Sequence, residues 1–298
     1  MSTNGHSLKQ ILKAGEFIVA PGVFEMISAR IADQMNFQAL YMTGYGATAS
    51  YLGLPDAGLA AYSEMVDCAR RIAQGTSTPL IADADTGYGG LLNVRRTVKG
   101  YETAGVQGIQ IEDQVAPKKC GHTLGREVVP VEEMTQKIQV ACDARQSDET
   151  LIVARTDSRT DYGLDEALMR GKAFAEAGAD VVFIESPESE DELKRIGAEI
   201  DAPLLANMVP NGRTPIVPSQ TLREWGFNIA IYPSAGFSPV AETLRKAYSH
   251  LHEKGTTIGT DVRTYEDGDR SMHELMGFQE VWDFEKKWTL RDLNAPDA

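Results

Sequence analysis

A short apolar or β-branched run followed by a longer amphipathic segment recurs eight times along this chain of 298 residues. Continuous apolar runs of this length are typical of parallel strands that helices cover on both faces. Eight such units in a chain of this size predict an α/β fold, the (β/α)8 barrel, with a doubly wound open sheet as the alternative. The runs are Phe17–Ala20, Ala39–Thr43, Leu80–Asp83, Gly108–Glu112, Leu151–Arg155, Val181–Glu185, Leu204–Asn207 and Ile229–Tyr232.

The segments between the runs have helical spacing, and several end on a glycine just before the next run, which suits a left-handed helix cap. Clear cases are Asp165–Gly178, Val94–Gly105 and Leu222–Gly226. We predict one barrel domain over residues 1–257 and a helical extension over 258–298. A helix over Glu274–Trp288 would place its bulky apolar surface on the barrel's own base or on a neighbouring subunit.

Polar side chains cluster where the predicted strands end. In a (β/α)8 barrel the active site is built at this edge, from side chains that several strands contribute. Carboxylates that converge from different strands are ligands for a hard divalent cation. We therefore predict a metal-assisted active site. The strand-end residues are Thr43, Gly44, Tyr45, Asp83, Asp85, Glu112, Arg155, Asp157, Glu185 and Asn207.

A lone thiol, Cys120, lies in a glycine-flanked loop among cationic side chains. A thiol in an electropositive, mobile setting is suited to acid–base or nucleophilic chemistry. The more common fate of a cysteine, as a small packed hydrophobe, suits Cys68 and Cys142, which lie in helical segments. The neighbouring cationic residues are Lys118, Lys119 and His122.

Composition limits the partners and the compartment. A net charge of −14 disfavours binding to nucleic acid or to anionic membranes, because both select for basic patches. Three sparse cysteines do not form a disulfide framework and indicate a reducing compartment. The polar N-terminus shows no signal peptide, and no apolar run reaches bilayer length. We expect a cytoplasmic protein with no nucleic-acid or membrane partner.

Five strings, in order, resemble the isocitrate lyase/phosphoenolpyruvate mutase superfamily over nearly the whole chain. They are TGYGATASYLGLPDAG (43–58), ADADTGYGG (82–90), GIQIEDQVAPKKCGH (108–122), VARTDS (153–158) and ANMVPNGRTP (206–215). The resemblance implies a barrel with a helix exchanged between subunits and a homotetramer. The KKCGH loop is similar to that of the carbon–carbon lyases in the family, and the chain is shorter than full isocitrate lyases.

The resemblance also implies metal ligands. It makes Asp83 the direct ligand of Mg²⁺, for which Mn²⁺ can substitute, while Asp56, Asp85 and Glu112 would bind the waters of the ion. The alternative for Asp83 and Asp85 is capping of the turn after the strand. Zinc is disfavoured, because no His/Cys cluster with ligand spacing occurs.

Other residues would bind and protonate the substrate. Thr43, Gly44 and Tyr45 resemble a segment that binds a substrate carboxylate, with an ordinary strand-to-helix turn as the alternative. Arg155 offers a fork of donors to a carboxylate, although it could also pair with Asp157 or Glu185. Cys120 would protonate a carbanionic fragment in the cationic setting of Lys118 and His122. Further expected contacts are Glu185, Asn207 and Ser234, while Arg126 matches a basic loop position or is only solvated.

The predicted reaction is a Mg²⁺-dependent retro-aldol cleavage of a 2-hydroxy di- or tricarboxylate to a 2-oxo acid, such as pyruvate, and a second carboxylate. A 2,3-dimethylmalate-type substrate is favoured and a 2-methylisocitrate-type one comes next, because TGYG and Gln110 depart from the pattern of short tricarboxylate lyases. The base is open among Tyr45, Glu112 through a water, and a hydroxide on the metal. Alternatives are an oxaloacetate hydrolase or decarboxylase, a phosphonomutase of the carboxyvinyl-carboxyphosphonate type, and a non-catalytic scaffold.

Overall fold

The computed structural model describes residues 7–121, 123–260 and 272–289. Eight parallel strands, each hydrogen-bonded to its neighbours in chain order, form one closed barrel, which confirms the predicted fold and excludes the open sheet. The strands are β1 (Ile18–Val23), β2 (Leu40–Met42), β3 (Leu80–Asp83), β4 (Gly108–Glu112), β5 (Leu151–Thr156), β6 (Val181–Ile184), β7 (Leu204–Asn207) and β8 (Ile229–Tyr232).

Helices connect successive strands, in keeping with the right-handed crossover of parallel strands, and further helices precede β1 and follow β8. They are α1 (Leu8–Lys13), α2 (Met26–Asp33), α3 (Gly44–Leu52), α4 (Tyr62–Gly75), α5 (Leu91–Ala104), α6 (Val131–Ala144), α7 (Arg159–Tyr162), α8 (Leu164–Glu176), α9 (Glu190–Glu199), α10 (Ser219–Glu224), α11 (Ser234–Lys254), α12 (Met272–Leu275) and α13 (Phe278–Trp288). No helix in the described ranges is long and apolar enough to cross a bilayer.

The strand predictions differ from the structure most at β1, which continues through Pro21 and Gly22. The predicted run stops at Ala20, before a proline, which lacks the N–H that a central strand donates. In the structure Pro21 lies opposite Tyr232 and Gly22 opposite Tyr41. Glycine is required there, because a Cβ on Gly22 would lie 2.2 Å from the carbonyl oxygen of Pro233.

Glycines end the helices where the sequence predicted. Gly105, Gly178 and Gly226 have φ of 98°, 105° and 95°, the left-handed region that favours this residue. The single helix predicted over Glu274–Trp288 is wrong, because Gly277 adopts φ 78° and separates α12 from α13.

The chain divides into two compact units, Met1–Val240 and Ala241–Ala298. In the second unit, Phe278 stacks on His273 with ring centroids 4.3 Å apart. Large apolar side chains of α13 are exposed, among them Phe284 and Trp288 at 64% and 63%. The exchange of a C-terminal helix between subunits stays a prediction.

The core of the first unit has two parts. One lies between strands and helices, and a second, smaller cluster fills the barrel interior with alternate residues of the strands, such as Ile81 and Val153. Leu8 and Ile11 of α1 belong to the interior cluster, and the backbone N–H of Leu8 donates to the side chain of Gln107, just before β4. α1 therefore closes the amino-terminal end of the barrel, and the opposite end stays available for a site.

Gly22→Ala tests the closure between β1 and the chain after β8. We expect it to lower the free energy of unfolding by at least about 2 kcal/mol, because backbone must move to admit the methyl group. Chemical denaturation measures the change. Gly90→Ala is the matched control: no atom lies within 4 Å of its added Cβ, so the change should stay within about 1 kcal/mol. Equal effects of the two substitutions would contradict the close approach.

Candidate active site

The strand period directs the predicted site residues inward. Side chains alternate between the two faces of a strand, so a residue two positions after an interior core residue also faces the interior. Ile81 is followed in this way by Asp83, and Val153 by Arg155. The same step leads from the interior residues Tyr41, Phe183 and Leu205 to Thr43, Glu185 and Asn207.

A cavity of about 440 Å³ opens among these side chains. It brings together most of the residues that the sequence predicted for the site, although they come from separate strands and loops. Asp85, Glu112 and Lys118 are buried but do not line it, and His122 lies outside the described residues. The predicted residues that line the cavity are Thr43, Gly44, Tyr45, Asp56, Asp83, Cys120, Arg155, Glu185, Asn207 and Ser234.

Lys118 lies among the predicted metal-binding carboxylates. Its ammonium forms an ion pair with Asp56 and lies 2.8 Å from Oδ1 of Asp85. Burial lowers the pKa of Lys118, but the charges of Asp85, Glu112, Asp83 and Asp56 together raise it well above its ordinary value. Lys118 is therefore a fixed positive charge that neutralises part of the acidic cluster.

The carboxylates of the cluster hold protons more tightly than exposed acids do. Burial raises the pKa of Asp85 to about 6, with Asp83 and Asp56 adding to the effect and Lys118 opposing it. Burial likewise raises the pKa of Asp83, and it raises that of Glu112 well above its ordinary range despite the opposing charge of Arg155. The site therefore contains more buried negative charge than its cations compensate.

Backbone geometry holds Asp83 and Asp85 together. The N–H of Asp85 donates to Oδ1 of Asp83 over 3.0 Å, and Asp85 adopts φ 47°, which is uncommon outside glycine. A Cβ on Gly44 would lie 2.4 Å from Oδ2 of Asp83, so only glycine fits at that point of α3. Asp83 therefore caps the turn after β3, as the alternative predicted, and it also lines the cavity.

Arg155 is held by acids on three strands or strand ends. Its Nε and Nη2 donate to the two oxygens of Asp157 over 2.9 and 2.8 Å. Its guanidinium also lies 3.4 Å from Oε2 of Glu112 and 3.6 Å from Oε2 of Glu185. The ion-pair alternative for Arg155 is therefore present, and the same side chain also lines the cavity.

The loop that carries Cys120 has contacts along its length. The backbone carbonyl of Cys120 accepts from the hydroxyl of Thr123 over 2.7 Å, and that of Gly121 accepts from Ser186 over 3.3 Å. A Cβ on Gly121 would lie 2.4 Å from Nη2 of Arg155, so this glycine brings the loop close to the guanidinium.

The other two thiols have no place in the cavity. Cys68 is buried and lies 3.7 Å from the carbonyl of Phe24, and burial raises its pKa to about 11. Cys142 lies 3.2 Å from the carbonyl of Gly178. Cys120 is the one cysteine of the chain that lines the cavity.

The segment after β2 begins a helix. Thr43 is the N-cap of α3, and its hydroxyl accepts from the N–H of Gly46 over 3.5 Å. Tyr45 is 46% exposed at the cavity and packs edge to face on Phe237, with ring centroids 5.5 Å apart. The segment is thus a strand-to-helix turn, as one alternative held, and it also lines the cavity.

Glu185 and Asn207 form one polar unit. Oε2 of Glu185 accepts from Nδ2 of Asn207 over 3.0 Å, and Oε1 accepts from the hydroxyl of Ser186 over the same distance. Oδ1 of Asn207 is buried without a hydrogen-bond partner among the described residues. This leaves one acceptor at the cavity for a donor on a bound molecule.

Sequence reasoning missed several cavity residues. Tyr41 fell inside the predicted strand run Ala39–Thr43 and was not among the predicted site residues, but it lines the cavity and donates to Gln110 over 3.2 Å, and Gln110 lies 3.4 Å from Oδ1 of Asp83. The period of two in β2 would have identified Tyr41. Nothing in the local pattern of α11 or of the later loops indicated the others, which are Thr123, Val209, Phe237 and Ser238.

The donor chemistry fits Mg²⁺. In the described part of the chain, no three His, Cys, Asp or Glu side chains converge closely enough to hold one ion together. Mg²⁺ does not need such a set, since it takes one or two carboxylates directly and keeps several waters. Oε1 of Glu112 is buried and has no hydrogen-bond partner in the described residues, so it could accept from such a water.

Comparison with known proteins identifies relatives over nearly the whole chain. A family model described as phosphoenolpyruvate phosphomutase matches residues 8–252. The 2,3-dimethylmalate lyase of Eubacterium barkeri is 45% identical over 283 residues, which cover 94% of this chain and 96% of the relative. A 2-methylisocitrate lyase of Aeropyrum pernix is 38% identical over 283 residues, covering 95% and 89% of the two chains.

Solved structures share the fold. An oxaloacetate acetylhydrolase in complex with the inhibitor 3,3-difluorooxalacetate has a TM-score of 0.88 and 35% identity, covering 94% of this chain and 95% of that one. A phosphonopyruvate hydrolase in complex with oxalate and Mg²⁺ has a TM-score of 0.85 and 28% identity, covering 97% and 99%.

The buried acids should make the metal-free protein less stable as the pH rises. Burial, with the charge of Asp157, raises the pKa of Asp113 from 3.8 to about 6. Between these values the folded chain keeps a proton that the unfolded chain loses, so the free energy of unfolding falls with rising pH. From pH 4.5 to 7, Asp113 alone should contribute a loss of about 2 kcal/mol.

Denaturation in EDTA at several pH values measures this slope. Asp113→Asn should flatten it, because the amide does not titrate, although the variant also loses an ion pair with Arg170 at every pH. An unchanged slope would contradict the raised pKa of Asp113. The pKa values of Asp83, Asp85 and Glu112 are also raised, so these acids should preserve part of the fall in stability with rising pH.

Proposed function

Because the chain belongs to the phosphoenolpyruvate mutase/isocitrate lyase superfamily, we propose that it is a Mg²⁺-dependent carbon–carbon lyase of this superfamily. It would cleave a 2-hydroxy dicarboxylate of the 2,3-dimethylmalate type to pyruvate and a second carboxylate. The observation that carries the proposal is one cavity lined by Cys120, Asp83 and Arg155 together. Relatives named as lyases support the reaction class.

The acidic cluster would hold the metal. Asp83 would bind Mg²⁺ or Mn²⁺ directly, and Asp56, Asp85 and Glu112 would hold its waters. When bound, the ion supplies Lewis-acid polarisation of the 2-hydroxyl group and its neighbouring carboxylate. Lys118 neutralises part of the negative charge of the cluster, and the charge that is left is suited to a divalent cation.

Two groups would bind the substrate carboxylates. Arg155 presents a guanidinium whose plane is fixed by its bidentate contact with Asp157, so little freedom is lost when a carboxylate binds. The free N–H groups at the start of α3, after Thr43, favour a second carboxylate. Tyr45 and Phe237 also line the cavity.

The reaction needs a base and an acid. The base takes the proton of the 2-hydroxyl, the carbonyl of the 2-oxo acid forms, and the bond from C2 to C3 breaks with its electron pair on C3. The thiol of Cys120 then gives its proton to C3. For the base we keep both Tyr45, which lines the cavity, and Glu112, a buried carboxylate that would act through a water.

The cavity lining favours a dicarboxylate with an alkyl branch over a tricarboxylate. Among the described residues that line it, Arg155 is the one cationic side chain, beside the acids Asp56, Asp83 and Glu185. A third substrate carboxylate would add negative charge without a counterion. Val209 and Phe237 instead offer apolar surface to a methyl group. The 2-methylisocitrate type is therefore second.

Oxaloacetate hydrolysis is a further candidate. Ser234 lines the cavity at the start of α11, where its hydroxyl could bind a hydrated 2-oxo acid. An oxaloacetate acetylhydrolase is among the structural relatives. Decarboxylase and phosphonomutase reactions would use the same metal site without a thiol acid.

The first test is 2-oxo acid release from 2,3-dimethylmalate, 2-methylisocitrate, isocitrate and oxaloacetate, with Mg²⁺ and with EDTA. We expect the dimethylmalate type to react fastest and EDTA to abolish the reaction. Cys120→Ala should lower kcat by roughly 10²- to 10⁴-fold, the range for loss of a general acid. Cys142→Ala is the control, because that thiol lies outside the cavity.

Two outcomes would contradict the proposal. Turnover of no substrate in the panel would reject the lyase assignment. Turnover that survives Cys120→Ala unchanged would reject the thiol as the acid and favour decarboxylase or phosphonate chemistry.

Metal binding is testable without turnover. At Mg²⁺ concentrations near 100 times Kd, the free energy of unfolding should rise by about 2.7 kcal/mol. Asp83→Asn should remove most of this gain, because the amide binds the ion more weakly than a carboxylate. Asp113→Asn, an equally buried acid outside the cavity, should retain it. Equal stabilisation of both variants would show that Asp83 is not the ligand.

A further inference from the structure

Arg126 is a wholly buried cation that the proposed reaction does not use. It follows the loop of Cys120, its side chain is 0% exposed, and it does not line the cavity. Of the two alternatives for Arg126, the one in which it is only solvated is therefore wrong. Burying a guanidinium is costly unless it is paired, so its partners indicate what the residue does.

One carboxylate joins Arg126 to the site. Oδ1 of Asp157 lies 2.6 Å from Nη1 of Arg126 and 2.8 Å from Nη2 of Arg155. Asp157 is itself fully buried. Burial would raise its pKa, but the charges of Arg155 and Arg126 lower it, so this acid stays ionised between the two cations.

Further bonds fix Arg126 after β5. Its backbone N–H donates to Asp161 over 3.2 Å, and Nη2 donates to the hydroxyl of Thr160. Within the loop, Nζ of Lys119 donates to the carbonyl of Gly125 over 2.5 Å. The start of the loop is held separately, by the ion pairs of Lys118 with Asp56 and Asp85.

We propose that Arg126 is a positioning residue: through Asp157 it holds the end of the Cys120 loop in fixed relation to the guanidinium of Arg155. The catalytic consequence rests on the proposed role of Cys120 as the acid. The mechanical part, that Arg126 controls access to the Cys120 thiol, stands without it.

Arg170 provides a matched control. It is also a buried arginine, with Nη1 lying 3.2 Å from Oδ2 of a buried acid, Asp113. It is on α8, and its other bonds are to the carbonyl of Val129 and to Oε1 of Glu166, both over 2.8 Å, so it does not hold the Cys120 loop by its side chain. Loss of either arginine removes one ion pair from a buried carboxylate that keeps other hydrogen bonds, so a merely structural role predicts similar effects.

The experiment measures alkylation of Cys120 by iodoacetamide in the full-length chain, located by peptide mass spectrometry, with Cys142 as internal reference. The limiting rate at alkaline pH reports access to the thiol rather than its pKa. Arg126→Met should raise this rate for Cys120 by about tenfold or more, because the loop opens locally. Arg126→Lys keeps the positive charge but lacks the paired N–H donors of the guanidinium, and it should raise the alkylation rate of Cys120 by about threefold.

Arg170→Met should leave Cys120 alkylation within about twofold of the parent, even where it lowers the thermal midpoint as much as Arg126→Met does. Equal increases in the two Met variants, or none in either, would overturn the proposal. If Arg126→Met does not fold, Arg126→Lys against Arg170→Lys gives the same decision.

Turnover then separates the two proposals. If the chain is the proposed lyase, Arg126→Met should lower kcat by about tenfold with a smaller change in KM, because the thiol, not the carboxylate contacts, is displaced. A chain without lyase activity but with the expected alkylation ratios would reject the proposed function and retain the positioning role. An active lyase in which Arg126→Met leaves Cys120 alkylation unchanged would support the proposed function and reject the positioning role.

Discussion

Side chains on a strand alternate between its two faces, and in a closed barrel this alternation orders both the core and the site. Interior residues such as Ile81 and Val153 fill the middle of the barrel, and the next inward positions are Asp83 and Arg155. The polar site is thus a continuation of the apolar core along the same strands. Because α1 closes the amino-terminal end, the cavity can form at the carboxyl end.

The second constraint is electrostatic. The barrel places several acids out of water, and burial raises the pKa of Asp83, Asp85 and Glu112 even though Lys118 and Arg155 lie beside them. Each positive group is therefore shared among several acids: Lys118 pairs with two of them, and Arg155 contacts three. Two cations do not neutralise all of these carboxylates. A site of this kind is unfavourable to folding by itself, and it is suited to a ligand that brings positive charge.

Much of this arrangement is predictable from the sequence, since the repeat of apolar runs defines the strands and the polar residues after them define the site edge. The errors have physical causes. The predicted run ends before Pro21 and Gly22, but pairing of Pro21 with β8 and of Gly22 with β2 carries the strand through them. Gly277 interrupts a helix that its neighbours favour. The surroundings of Phe237 and Arg126 could not be predicted, because they depend on contacts between distant segments. Phe237 packs on Phe24, and Arg126 pairs with Asp157.

The seam of the barrel has a consequence for the order in which the chain acquires structure during synthesis. β1 is complete by Val23, but its partner across the seam begins at Ile229, and Ile18 lies opposite that residue. Until the eighth strand leaves the ribosome, one edge of β1 has no strand to pair with and could pair with another chain instead. The contact that finishes the barrel therefore joins some of the first and last residues of the fold to be made, and it is the slowest kind of contact to form.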